Sequence, residues 1–166
     1  MTILGIDPGS RRIGYGVVDA GNPPTLHAVG IVPITEKANP AALAELKHEI
    51  ERLIAVYRPT HLGVEKLFFM KNRTTGIAVA EARGVVLSAA YEAGLHIHEY
   101  TPNEIKLALT GDGGADKRAI AKMVRLILKN APEDKLPAKL IDDATDALAI
   151  ALVAAQRIPL AERLGR

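Results

Sequence analysis

The chain has 166 residues, 48% of them apolar, with a formal net charge of +2 and no cysteine. That length suits one globular unit rather than two, the missing thiols exclude disulfides and thiolate metal centres, and no apolar run approaches the ~20 residues of a membrane helix. Carboxylates and five histidines remain as side-chain metal ligands, which favours a hard cation.

The chain opens directly on a strand, without a basic-then-apolar leader, so a soluble, cytoplasmic protein is expected. Apolar runs at 3–6 and 13–18 flank Pro8-Gly9-Ser10, which reads as a β-hairpin whose first strand ends on Asp7. A carboxylate leaving a buried strand costs several kcal/mol unless something cationic answers it, and no Lys or Arg lies within three residues. After the Asn22-Pro23-Pro24 turn, 26–34 is β-rich and adds a third antiparallel strand. Asn39-Pro40 starts a helix on which Leu43, Leu46, Ile50, Leu53, Ile54 and Tyr57 recur at helical spacing, and Arg58-Pro59 ends it.

Residues 60–65 form a short strand that again ends on a carboxylate, Glu65. The helix before it implies a right-handed crossover and parallel pairing, which would bring Asp7 and Glu65 to one edge of neighbouring strands. Residues 66–73 are a loop holding both phenylalanines of the chain and three basic residues. A long Ala- and Val-rich helix over 74–93 stops at Gly94, and 96–100 is a fifth strand. Thr101-Pro102-Asn103-Glu104 carries a capping box for a short helix, and Gly111-Asp112-Gly113-Gly114 is a turn. Ile120, Met123, Val124, Ile127 and Leu128 mark an amphipathic helix, 131–139 is irregular, and the last helix spans about 142–156. The histidines read as structural or surface groups. One domain over 1–156 followed by a short tail at 157–166 is the expected organisation.

On the last helix Asp143 and Asp146 are three residues apart and share a face, with Asp142 just before them. The helix dipole favours acids in a first turn, which accounts for any one of them as a cap. Two strand-end carboxylates and a helix-face pair are, however, the parts needed to hold two divalent cations. Two such ions activate a water and stabilise the leaving oxygen of an in-line phosphodiester displacement.

Four stretches now stand together: Gly5-Ile6-Asp7-Pro8-Gly9-Ser10, Glu65-Lys66-Leu67-Phe68 with Lys71-Asn72, Ala82-Arg83-Gly84, and Asp143-Ala144-Thr145-Asp146-Ala147-Leu148-Ala149. In this order and spacing, over nearly the whole chain, they resemble the RuvC family of Holliday-junction resolvases. The resemblance implies a ribonuclease-H-like α/β fold: a mixed five-stranded sheet flanked by helices on both faces. It further implies a metal-dependent endonuclease making paired symmetric nicks in opposed strands of a four-way DNA junction, during recombination and repair. The family's metal-binding acids fall on Asp7, Glu65, Asp143 and Asp146, for two Mg2+ per site, with Mn2+ as the other ion such a donor set accepts. A homodimer is expected, because a near-symmetric junction needs two equivalent sites, and the helix from 74 is the expected interface. RuvA and RuvB are the implied branch-migration partners.

DNA would lie along the 66–73 loop and the basic stretch 117–139. The resemblance assigns the junction-contacting aromatic to Phe68, with Phe69 as its packing support and Lys71 and Arg73 beside them. A base stacked on such a ring is worth about 1 to 3 kcal/mol. Residues matching Lys106 and Lys117 contact DNA near the scissile phosphate in this family. Lys117 and Arg118 also open a helix whose N-terminal amides suit an anion. Rival readings are a hybrid ribonuclease H or another resolvase branch of the same fold, and an actin-like or sugar-kinase-like ATPase. The last shares the Gly-Ile-Asp-x-Gly hairpin but needs a second domain for which the chain has no room.

Overall fold

The computed structural model describes residues 1–9, 12–37, 39–67 and 73–163, with 73–75 and 162–163 described for the main chain only. Three antiparallel strands, β1 (Thr2–Pro8), β2 (Arg12–Asp19) and β3 (Thr25–Pro33), precede α1 (Asn39–Tyr57) and β4 (His61–Glu65). Then follow α2 (Arg73–Glu92), β5 (His96–Tyr100), α3 (Pro102–Thr110), α4 (Lys117–Ile127) and α5 (Asp142–Arg163). The sheet order is β3-β2-β1-β4-β5, with β1 parallel to β4 and β4 parallel to β5. The mixed five-stranded sheet expected from the sequence is therefore present, and the last β1–β4 pair, Ile6 with Val64, leaves Asp7 and Glu65 side by side as the strands end.

Alternation within β1 splits its side chains between two cores. Ile3 packs with Leu148, Leu152 and the buried residues of α3 and α4 on one face, while Leu4 and Ile6 pack with Leu46, Ile50 and Leu53 of α1 and Val86 of α2 on the other. Helices thus cover both faces. Three of the core positions on α1, Leu46, Ile50 and Leu53, lie four and three residues apart, so they form one stripe.

α5 crosses β1, β2 and β4, and residues 147–154 along it are almost wholly buried. Among the described residues it is the one helix long and apolar enough to cross a membrane, but its burial marks it as the central helix of the fold. Its approach to the sheet is unusually close. A Cβ at Gly5 would lie 2.7 Å from the Ala151 nitrogen and 2.8 Å from its methyl group, and one at Gly14 would collide with the main-chain carbonyl of Asp143. Gly14 is also the residue paired with Asp7 across the hairpin. Bare backbone at these positions is what lets the acidic first turn of α5 sit over the end of β1.

One boundary and one cap differ from the sequence reading. α5 does not stop near Gln156 but continues through Pro159 to Arg163. A proline forfeits one intrahelical hydrogen bond, and burial of Ile158 in the core holds that turn in place. At α4 the cap is Asp116, whose carboxylate accepts a hydrogen bond from the Ala119 N–H at 2.8 Å. The chain's own acid therefore takes one of the helix-end amides expected to meet an anion.

Candidate metal centre and nucleic-acid interface

The end of β1 supplies Asp7, the end of β4 supplies Glu65, and α5 supplies Asp146 to one cleft of about 350 Å³, lined also by Lys106, Lys117, Pro102, Ile105, Ile120 and Ala149. Asp143 stands beside it, one turn earlier on α5, close enough for its charge to be felt at Asp7. Asp142, at 79% side-chain exposure, points to solvent, whereas Asp143 is 29% exposed. Of the two, Asp143 is the one the family resemblance places among the metal-binding acids.

Electrostatics show how poorly this arrangement is neutralised by the chain itself. Burial, and then the charges of Asp146, Glu65 and Asp143, push the Asp7 carboxyl up to about 7, with Lys117 only partly offsetting them. Glu65 is raised too, first by burial and then by Asp146, against the opposing charges of Lys117 and Lys106. Crowded carboxylates in a low-dielectric setting disfavour their charged forms unless a cation is held among them.

Two basic side chains stand against the acids. Lys117 donates to Asp146 at 3.1 Å and lies 3.8 Å from Asp142, and its ammonium is raised above its usual range, chiefly by the hydrogen bond to Asp146. The Arg12 guanidinium lies 3.4 Å from Asp143. Among the described residues no three acidic or histidine side chains are gathered at the spacing of one metal shell. Arg12 and Lys117 hold two of the four acids from the side.

The residues nonetheless fit a hard divalent cation. The donors are all oxygen, they converge from three rigid elements, and the cleft holds more negative charge than its lysines balance. Mg2+ keeps several waters and needs few protein ligands, so a preformed cage is not required.

The sequence-derived DNA residues divide into three groups. Lys106 and Lys117 line the cleft. Arg118 is exposed on α4, and the cleft lining does not include it. Phe68, Phe69 and Lys71 lie outside the described residues, and Arg73 is placed only as the first residue of α2. Within the basic stretch, Arg125 is used structurally: it donates to the Pro137 and Ala138 carbonyls at 3.0 and 2.7 Å, tying the irregular segment to α4. The histidines stand apart from the cleft, with the His61 ring 5.1 Å from His96 and 5.3 Å from His98 on β4 and β5.

Sequence reasoning missed two groups near the acids. Arg12 opens the return strand of the hairpin, and a cation directly after the Asp7 turn was a readable signal. Arg83 on α2 donates to the Glu65 carbonyl at 3.2 Å. Its motif had been noticed without a contact to explain it.

Residues 3–154 match the family model described as "Crossover junction endodeoxyribonuclease RuvC". The enzyme of that name from Desulfitobacterium hafniense is 45% identical over 168 residues, covering 99% of this chain and 98% of its own. That from Gloeobacter violaceus is 46% identical over 157 residues, covering 92% and 86%. Among solved structures, the Thermus thermophilus RuvC in complex with a Holliday junction substrate superposes with a TM-score of 0.85 at 32% identity, covering 96% of each chain. The yeast mitochondrial resolvase Ydc2 shares the fold, with a TM-score of 0.75 at 14% identity. With the family match and these relatives spanning the chain nearly end to end, this protein belongs to the RuvC family of crossover junction endodeoxyribonucleases.

Proposed function

We infer that this chain resolves four-way DNA junctions by hydrolysing phosphodiester bonds with a metal bound among Asp7, Glu65, Asp143 and Asp146. The observation that carries the reading is the convergence of acids from β1, β4 and α5 on one cleft that also holds Lys106 and Lys117. Two Mg2+ ions, or Mn2+ in their place, would supply an activated water and stabilise the leaving 3′-oxygen.

The chain's own residues do the rest. Asp7, at the end of β1 beneath the first turn of α5, would be the ligand common to both ions, with Glu65 and the α5 pair completing the donor set. Lys117 and Lys106 reach the same cleft and meet the scissile phosphate, where a fixed cation stabilises developing charge. A cation held by Asp146 would satisfy that carboxylate in place of Lys117, whose ammonium would then be available to the phosphate. Arg118 stands next to Lys117 and meets a neighbouring phosphate. Phe68 stacks on an unpaired base at the junction, supported by Phe69, while Lys71 and Arg73 follow the backbone. The nuclease unit expected over 1–156 is close to the span of the family match, and α5 carries it on to Arg163, with Ile158 in the core. It works in the cytoplasm beside the branch-migration proteins RuvA and RuvB, as the sequence resemblance implies.

Cleavage of a four-way junction, an RNA–DNA hybrid and plain duplex, compared in Mg2+, tests the assignment. Paired nicks confined to the junction are expected, and equal cleavage of the hybrid would favour the ribonuclease H reading instead.

Paired nicks need two copies, and α2 supports a twofold interface. Ile77 and Tyr91 are 63% and 79% exposed on it. Gly84 is exposed on the same helix, and a Cβ there would meet nothing within 4 Å, so nothing among the described residues requires that glycine. A glycine inside a helix costs roughly 1 kcal/mol relative to alanine, and close approach of a second α2 gives it a reason. Ile77→Glu is expected to give a monomer in sedimentation velocity that nicks single strands without coordination. A dimer that survives this change would move the interface elsewhere.

A further inference from the structure

The Ala82-Arg83-Gly84 motif has no part in the reaction as set out above. Arg83 lies on α2 with only 15% of its side chain exposed. Its Nε donates to the main-chain carbonyl of Glu65 at 3.2 Å, and its terminal nitrogen pairs with the Glu99 carboxylate on β5 at 2.8 Å. One planar guanidinium therefore spans the ends of two strands from a helix.

The place it grips is the end of the β4 ladder. Glu65 is the last residue of β4; the ladder with β1 ends one residue earlier, and on the other side Glu65 pairs with Tyr100, the last residue of β5. Beyond it the Lys66 N–H still donates to the Tyr100 carbonyl at 2.8 Å, after which the chain leaves the sheet. A ligand at a strand end, paired on one side only, needs support from elsewhere if its carboxylate is to keep one position. The lysines whose charge reaches the Glu65 carboxyl are Lys117 and Lys106. Arg83 holds the main chain.

We propose that Arg83 is a positioning residue: its fork fixes the backbone of Glu65 and locks the end of β4 to α2 and β5, so that the Glu65 carboxylate is presented to the metal. This rests on the reading that Glu65 is a metal ligand. A lysine could reach one acceptor but not hold two in a rigid plane. Because α2 is also the proposed interface helix, the same contact ties the metal ligand of each copy to the surface on which the two copies meet.

Wild type, Arg83→Met, Arg83→Lys and Glu65→Gln are compared by Mn2+ titration without DNA, by junction affinity without divalent ions, by kcat in Mg2+, and by thermal melting. Arg83→Met is expected to lower Mn2+ affinity or kcat by roughly 10- to 100-fold with junction affinity unchanged, as other supports of metal ligands do. Arg83→Lys should fall between Arg83→Met and wild type. A folded Arg83→Met with wild-type Mn2+ affinity and kcat overturns the proposal. Should Arg83→Met fail to fold, Arg83→Lys decides, and wild-type values there overturn it equally. Glu65→Gln separates the two levels: if it loses Mn2+ while the Arg83 variants keep wild-type Mn2+ affinity and kcat, only this inference fails. If Glu65→Gln itself binds Mn2+ as wild type does, the site assignment fails and this inference with it.

Discussion

Asp7→Asn is expected to abolish junction cleavage while making the metal-free protein more stable. Loss of the proposed metal ligand at the end of β1 should lower the rate by ~10³-fold or more, equivalent to about 4 kcal/mol of barrier. Junction binding, proposed to rest on basic and aromatic side chains, should persist. The gain in stability follows from the same crowding that suits the site to a cation. Burial and the neighbouring acids raise the Asp7 carboxyl from 3.8 to about 7. Between those values the folded protein holds a proton that the unfolded chain has released, so stability falls as pH rises from about 4 to about 7 and stays low above it. Each pH unit of such a shift is worth about 1.4 kcal/mol. With residual solvent screening, a gain on the order of 2 kcal/mol for Asp7→Asn at pH 8 is reasonable, or roughly 5 °C in melting temperature for a chain of this size. Melting at pH 5 and pH 8 in a chelator checks this: wild type should lose stability between the two and Asp7→Asn much less. Mg2+ should restore the loss in wild type alone. Retention of normal nicking by Asp7→Asn in Mg2+ would sink the catalytic assignment.

Gly14→Val should damage stability and cleavage together, although residue 14 bears no chemistry. A Cβ there strikes the Asp143 carbonyl. Overpacking a core with movable side chains costs about 1 to 3 kcal/mol, and here the obstacle is main chain that cannot rotate away, so a loss of ~3 kcal/mol or more is expected. The first turn of α5 must lift, carrying Asp143 and Asp146 away from Asp7. Urea unfolding and single-turnover cleavage should therefore fall in step, and Gly14→Ala should show the same direction to a lesser degree. A Gly14→Val protein with wild-type stability would mean that α5 does not seat on the hairpin as described.

These two positions mark different depths of legibility. Asp7 could be read from its sequence: an acid at the end of an apolar strand, before a turn of small residues, asks for a cation. The capping box at Thr101 and Glu104 was equally readable, and both of its reciprocal hydrogen bonds form, because a cap is settled within four residues. The Asp116 cap is harder to see in the sequence, because a Gly-rich turn precedes it and Lys117-Arg118 follow, a pattern that equally suits an anion at the helix end. Pro159 suggested a stop, yet α5 goes on, since packing of Ile158 outweighs a local preference.

The sequence by itself determined the order and type of the elements, the four acids and their spacing, and the family, because periodicity, turns and caps are local and the motifs occur in register. Only the tertiary structure decided which groups meet: Lys117 with Asp146, Arg12 with Asp143, Arg83 with the Glu65 carbonyl, and Gly14 with the first turn of α5. Those pairings follow from how closely one helix can cross three strands, a distance set by atoms far apart in the chain that no local pattern records.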